Sequence, residues 1–120
     1  MAGSLRSQIL AFAEQNLGCK TDSPWVKTPN YVVMRHALSK KWAGIIMDIP
    51  ACYIGVGEDE IIDVMNVKLD PLLIASLRNE EGYAPAWHMS KEHWLTVRLD
   101  GTVPVEQACA LLEMSNALVG

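Results

Sequence analysis

Hydrophobic residues near the N-terminus follow a helical period. They recur three or four positions apart, at Leu5, Ile9, Phe12, Ala13 and Leu17. This spacing predicts a helix with one apolar face, capped by the hydroxyl of Ser4 and ended at Gly18. The next segment, residues 19–30, contains two prolines and is predicted as an ordered loop that Trp25 anchors.

The middle of the chain has the period of two that is typical of strands. We predict strands over residues 31–37, 41–49 and 62–69, with a turn at Ser39 and Lys40 between the first two. The last two strands each place apolar side chains on one face, at Ala43, Ile45, Met47 and Ile49 and at Met65, Val67 and Leu69.

The second half of the chain begins with a helix signal. Asp70 can cap a first turn, and Pro71 follows where a helix does not need the missing N–H, so we predict a helix that ends by Gly82. We further predict a possible short strand over residues 83–88, a strand over residues 94–99 and a final helix over residues 104–118.

This order of elements is typical of an α+β fold with a single antiparallel sheet, because consecutive strands can pair through short connections. The helices should cover one face of the sheet and leave the other face partly in contact with water. We expect one domain over residues 1–120, since a chain of 120 residues is of the size that builds one hydrophobic core.

Alternation also predicts which side chains share the open face. If Ile45, Met65 and Leu95 point towards the helices, the opposite face carries Arg35, Trp42, Asn66, Lys68, Trp94, Thr96 and Arg98. Aromatic rings beside cations are typical of surfaces that stack bases and neutralise phosphates. The alternative interpretation is structural: the tryptophans pack under a loop, and the long basic side chains lie over them.

The turn before the last predicted strand contains His88, Lys91 and His93. Lys91 is a flexible cation that can reach an anion, as can Lys41 in the earlier turn, or both can stay solvated. The spacing of the two histidines aligns them on neither a strand nor a helix, so they make no standard chelating pair. Their alternative role is to bond backbone atoms and fix the turn.

Composition narrows the possible functions. The 10 basic residues against 14 acidic ones give a net charge of −4, which argues against a dedicated DNA-binding protein because phosphate contacts need cations. The chain has no nucleotide-binding or nucleophile motif, so we expect a binding protein rather than an enzyme, with no cofactor and no metal. Its three separated cysteines favour reduced thiols in the cytoplasm, and no apolar run approaches the roughly 20 residues of a membrane span.

Several motifs together resemble the MmcQ/YjbR family of small bacterial proteins. They are Pro24-Trp25, Pro29-Asn30-Tyr31, Arg35-His36, Lys40-Lys41-Trp42, the run Asn-Val-Lys-Leu-Asp-Pro at residues 66–71, His88-Met89-x-Lys91-x-His93-Trp94 and Leu111-Leu112. Two positions depart from the family's pattern, because Ser90 stands where Asn is usual and Asn116 where Tyr is usual.

The resemblance implies an α-β(3)-α-β(2)-α fold, similar to frataxin-like and secretion-chaperone-like domains, and DNA binding through a "double wing". It assigns to a binding surface Arg35, Lys41, Trp42, Lys68, Lys91, His93, Trp94 and Arg98. Three functions stay open, in this order of preference: a DNA-binding or accessory module using the open sheet face, a chaperone-like module with a protein partner, and a small-ligand protein or enzyme with a pocket around His88, Lys91 and His93. We expect a monomer or a weak dimer.

Overall fold

The computed structural model describes residues 4–120, which contain three α-helices and six strands. In chain order these are α1 (Leu5–Asn16), β1 (Lys20–Asp22), β2 (Val32–Arg35), β3 (Trp42–Pro50), β4 (Ile61–Lys68), α2 (Pro71–Leu77), β5 (Tyr83–Pro85), β6 (Trp94–Arg98) and α3 (Val105–Val119), with a 3-10 helix at Ala51–Ile54. The strands form one antiparallel sheet in the order β1-β2-β3-β4-β6-β5. The α+β prediction is therefore confirmed.

Local signals set the starts of two helices. The Ser4 hydroxyl accepts a hydrogen bond from the Ser7 N–H at 3.1 Å, and an Asp70 carboxylate oxygen accepts one from the Leu72 N–H at 2.9 Å. Each bond satisfies a donor that the helix itself leaves unpaired. The second helix ends at Leu77, earlier than predicted, and turns lead from there to β5.

One strand was missed by sequence reasoning. The segment Lys20–Asp22 lies inside the predicted loop and pairs with β2 at the edge of the sheet. It has only three residues and no apolar alternation, so the period-two signal is absent from it.

The three helices and the sheet enclose the main hydrophobic core. Fully buried side chains from α1, β4, β6 and α3 meet there, including Ile9, Met65, Leu95 and Leu112. The placement of Met65 and Leu95 towards the helices agrees with the alternation in their strands. None of the helices within residues 4–120 is long and apolar enough to cross a membrane.

A second apolar cluster lies on the opposite face of the sheet. It consists of Val33, Ile45, Met47, Ile49 and Val64. The prediction that Ile45 and Met47 face the helices was therefore wrong. Residues 43–47 are all buried, and a strand buried on both faces has no hydrophobic alternation from which its orientation can be read.

A β-bulge explains the change of orientation in β3. Met34 pairs with Gly44 but Arg35 pairs with Trp42, so Ala43 is an extra residue without a partner in β2. One extra residue reverses the alternation that follows it. Trp42 and Ile45 are three positions apart, so strict alternation would place them on opposite faces of the sheet. Because of the bulge, both pack in the second cluster.

Gly44 in β3 lies close to side chains of β2 and α3 and to the backbone of β4. A Cβ atom added there would lie 3.0 Å from Met34 Cε, 3.1 Å from Leu112 Cδ1 and 3.2 Å from the Asn66 carbonyl oxygen. Because one of these neighbours is backbone, we expect Gly44→Ala to lower the free energy of unfolding by about 1–3 kcal/mol. Urea denaturation at equilibrium measures it; an unchanged midpoint would show that α3 can move away from the sheet at no cost.

Candidate functional site

The sheet face opposite the helices carries a cleft of about 450 Å³. Its floor is formed by Ile45 and Met47 of β3, and its walls come from the connections before β2 and between β5 and β6. The residues that line it are Trp25, Thr28, Tyr31, Trp42, Ile45, Met47, Trp87, His88 and Met89. Three of the four tryptophans of the chain therefore converge on one apolar depression.

The first wall is a group of aromatic rings held edge to face. The ring of Trp25 lies 5.8 Å from that of Trp42 at an angle of 81°, and 6.3 Å from that of Tyr31 at 78°. Edge-to-face pairs at such distances are favourable because the positive ring edge meets the negative ring face. Trp25 thus anchors the loop of residues 23–31 onto β3 while its side chain stays 37% exposed at the rim.

The second wall is the turn that follows β5. The Trp87 ring stacks on Tyr53 at 5.5 Å, and the His88 ring meets Trp87 edge-on at 4.0 Å. His88 has a backbone φ of 62°, which is uncommon for a residue with a side chain. A left-handed residue at this position turns the chain so that consecutive residues, Trp87 to Met89, all line the cleft.

A buried polar network ties this turn to the sheet. The Thr96 hydroxyl donates to Asn66 Oδ1 at 2.5 Å and accepts from the Trp87 N–H at 3.1 Å, while Asn66 Nδ2 donates to the Trp87 carbonyl at 3.0 Å. Asn66 and Thr96 are fully buried. The prediction placed these two side chains on the correct face of the sheet. It was wrong that they are exposed there, because the Trp87 turn covers them.

Tyr31 contributes a neutral hydroxyl group. Burial raises the pKa of this phenol, and the negative charge of Asp48 and the nearby Tyr53 raise it further. Asp48 is held in place by the Asn30 side-chain amide, whose Nδ2 lies 3.0 Å from the carboxylate. Tyr31 therefore stays protonated at physiological pH and can donate a hydrogen bond.

The two predicted arginines are paired with acidic residues of this chain. Arg35 Nε lies 3.1 Å from Asp22 Oδ1, and Arg98 Nε lies 2.8 Å from Asp100 Oδ2. Burial acts to raise the pKa of Asp100, but hydrogen bonds from Thr102 and Arg98 outweigh it and the pKa is lowered. Both guanidinium groups thus have a carboxylate partner inside the fold.

The other predicted cations are not among the residues that line the cleft. Lys91 Nζ donates to the Ala86 carbonyl at 3.1 Å, Lys41 is exposed in the turn before β3, and Lys68 pairs in register with Trp94. His93 is exposed in the turn before β6. Of the site residues proposed from the sequence, the cleft brings together Trp42 and His88, and the rest are dispersed.

Sequence reasoning missed most of the cleft. Trp25 was interpreted as a loop anchor, Ile45 and Met47 as helix-facing core, and Trp87 and Met89 were not proposed as site residues. One signal was available, because Trp87 directly precedes His88 in the most distinctive motif of the chain. The contact between two loops that are far apart in the sequence had no such signal.

The cleft is suited to binding by shape and by aromatic surface. Within residues 4–120 no group of three or more His, Cys, Asp or Glu side chains is arranged to hold a metal ion. Burial raises the pKa of the Cys19 thiol, and burial together with the Glu106 charge raises that of Cys109, so both stay protonated.

Comparison with known proteins places this fold in a family. A family model described as YjbR matches residues 17–118. The chain belongs to the YjbR family. The matched residues include both walls and the floor of the cleft, so the candidate site lies within the part of the chain that defines membership. The resemblance read from the motifs is confirmed.

Relatives of this YjbR-family chain match over nearly its whole length. The Bacillus subtilis (strain 168) relative, named Uncharacterized protein YyaQ, is 37% identical over 110 residues, which are 92% of this chain and 93% of the relative. A crystal structure of a Pseudomonas syringae protein superposes with a TM-score of 0.91 at 42% identity, covering 96% of this chain and 98% of that one. The crystal structure of Deinococcus radiodurans protein DR2400, with a DUF419 domain, superposes with a TM-score of 0.69 at 29% identity. The match covers 92% of this chain and 75% of that one.

Proposed function

We propose that this YjbR-family protein is a small-ligand-binding module whose site is the aromatic cleft. The observation that carries the proposal is the convergence of Trp25, Trp42 and Trp87 on the sheet face that the helices leave uncovered. A concave site of about 450 Å³ with mainly apolar walls and a few polar groups has the size and composition of small-molecule sites.

The polar groups of the cleft are few and separate. Besides the indole N–H groups, its hydrogen-bonding side chains are the Thr28 and Tyr31 hydroxyls and the His88 imidazole, and among the described residues 4–120 no carboxylate or cysteine joins them in the lining. General acid–base and nucleophilic catalysis need such groups in contact with one another. The lining therefore favours binding over catalysis.

The four tryptophans allow a direct test by NMR. Indole N–H signals of the ¹⁵N-labelled protein would be followed while small aromatic, aliphatic and cationic compounds are added. We expect a binding compound to shift the signals of Trp25, Trp42 and Trp87 and to leave that of Trp94, which is outside the cleft lining, unchanged. If no compound moves the three cleft signals, or if all four move together, the proposal fails.

A second candidate is binding of single-stranded nucleic acid on the same face. It is favoured by tryptophan rings on an uncovered sheet face with the exposed Lys41 beside Trp42, a combination on which bases can stack. The pairing of Arg35 and Arg98 with carboxylates leaves fewer cations for phosphate than the sequence indicated. Small-ligand binding therefore ranks first.

The nucleic-acid candidate has a separate test. Fluorescence anisotropy of labelled single- and double-stranded DNA would be measured over a salt series, with Lys41→Glu and, as a control of equal charge change beyond α2, Arg78→Glu. Binding through this face should weaken with salt by a log–log slope of about −0.7 per phosphate for single strands, and Lys41→Glu alone should reduce it. Equal loss in both variants, or no binding at low salt, would reject it.

A further inference from the structure

The rings around the cleft stand at right angles rather than parallel. Trp25 is inclined by 81° to Trp42 and by 78° to Tyr31, and Trp87 by 84° to His88. A flat ligand such as a nucleobase is best held between parallel rings, which these pairs do not provide. Each of these pairs lies within one wall, and rings at right angles within a wall suit a compact, rounded group that contacts several rings at once.

Among the ring pairs of the described residues 4–120, the stacked pair has one ring in the cleft lining and one ring outside it. Tyr53 stacks on Trp87 at 28°, but Tyr53 lines the neighbouring pocket of about 270 Å³ rather than the cleft. Trp87 therefore separates the two pockets and has a ring partner on the outer side. This stacking supports the wall of the cleft and offers no place for a ligand.

The charge around the cleft favours a cation. No Lys, Arg, Asp or Glu side chain is in the lining as the structure describes it, whereas the lining is rich in aromatic rings, whose faces carry a negative quadrupole. The negative charge of Asp48 acts on Tyr31 in the lining and contributes to its raised pKa, and the chain carries a net charge of −4. An anion would find no cationic partner in this lining.

Hydrogen bonding selects among cations. A primary ammonium group has three N–H donors, and burying it without acceptors is costly. The side-chain acceptors of the lining are the Thr28 and Tyr31 hydroxyls in the wall before β2 and the His88 imidazole in the wall after β5, so a primary ammonium group would need acceptors from both walls. A quaternary ammonium group has no N–H at all, and its methyl groups can contact apolar and aromatic walls directly.

We infer that the cleft binds the trimethylammonium group of a small molecule, held against the faces of Trp25, Trp42 and Trp87 above the Met47 floor. This inference rests on the proposed function and names its ligand class. About 450 Å³ is more than one trimethylammonium group fills, so the remaining space accommodates the rest of the molecule near the Thr28 and Tyr31 hydroxyls.

The test compares two probes of the same shape and different charge. Choline and its neutral carbon isostere 3,3-dimethylbutan-1-ol would each be titrated while the four indole signals are followed by NMR. Cation–π contacts with several rings should make choline bind about tenfold more tightly than the alcohol. Both should shift the three cleft tryptophans and leave Trp94 unchanged.

The outcomes separate this inference from the proposed function. If the alcohol binds as tightly as choline, the cleft is an apolar site without cation preference; the inference fails and the proposed function stands. If neither probe binds but a planar compound such as indole shifts the cleft signals, the result is the same. If nothing shifts those signals, both fail.

Two variants locate the effect on the rings. Trp42→Leu keeps an apolar wall but removes a ring face, so choline should bind about tenfold more weakly while the alcohol changes little. Trp94→Leu is the matched control and should leave both affinities unchanged. Trp25→Leu, at a partly exposed loop position, serves the same purpose if Trp42→Leu unfolds. Equal losses for both probes in the ring variants would contradict cation–π recognition.

Discussion

Replacing Thr96 by valine should lower the free energy of unfolding by about 2–4 kcal/mol, although the two side chains have nearly the same shape. The change removes a hydroxyl that donates to Asn66 Oδ1 and accepts from the Trp87 N–H. Both partners are then left without their bond inside the protein, and each such buried group costs about 1–3 kcal/mol. Urea denaturation at equilibrium measures the loss.

The same substitution should loosen the wall of the cleft. The Trp87 turn is tied to the sheet through Thr96 and Asn66, so the Trp87 indole signal should shift or broaden in the folded variant. Thr96→Ser is the control, since it keeps the hydroxyl and loses one methyl group, at about 1 kcal/mol. If valine and serine variants are equally stable and give the same indole spectrum, the hydrogen bonds do not hold the turn.

Replacing Ser115 by alanine should have an effect of similar size on the other side of the sheet. The fully buried Ser115 hydroxyl accepts from the Lys68 N–H at 2.8 Å and donates to the Ala43 carbonyl at 2.5 Å. Two backbone groups lose their partner in Ser115→Ala, which predicts a loss of about 2–4 kcal/mol in the free energy of unfolding.

Ser115 lies beside the bulge in β3 and bonds backbone groups of two neighbouring strands. Gly44 pairs with Val67, so Ala43 and Lys68 would form the next pair of the ladder, at the point where the bulge interrupts the register. The serine hydroxyl lies between these two backbone groups and completes the interrupted connection. The matched control is Ser76→Ala, whose hydroxyl bonds an exposed carbonyl within its own helix and which should cost less than about 1 kcal/mol. Equal losses in both serine variants would reject this role.

Much of the fold could be predicted from the sequence because its signals are local. Ser4 and the Asp70-Pro71 pair set helix starts within one turn of themselves, and the alternation of β4 and β6 identified the side chains that face the helices. These patterns need no knowledge of distant partners. The three-residue strand β1 is defined only by its pairing with β2, so nothing in its own sequence announced it.

The candidate site was much less predictable, for two physical reasons. The orientation of β3 depends on Ala43, which has no partner in β2, and this bulge is visible only from the pairing of the two strands. The prediction lacked the bulge and therefore placed Ile45 and Met47 on the wrong face. The walls depend on two loops that meet over the sheet, and contacts between distant loops leave no periodicity. Two of the cations proposed for the open face, Arg35 and Arg98, form ion pairs with Asp22 and Asp100. These pairings become apparent only in the folded structure.

The apolar clusters on the two faces of β3 have a consequence for how the shape of the cleft can change. Ile46 belongs to the helix side, while its neighbours Ile45 and Met47 form the floor of the cleft. Side chains on opposite faces of a strand share no packing partners, and substitutions without shared partners act nearly independently. Substitutions at Ile45 and Met47 can therefore change the depth of the cleft while the helical half keeps its packing, so that one architecture is compatible with clefts of different size.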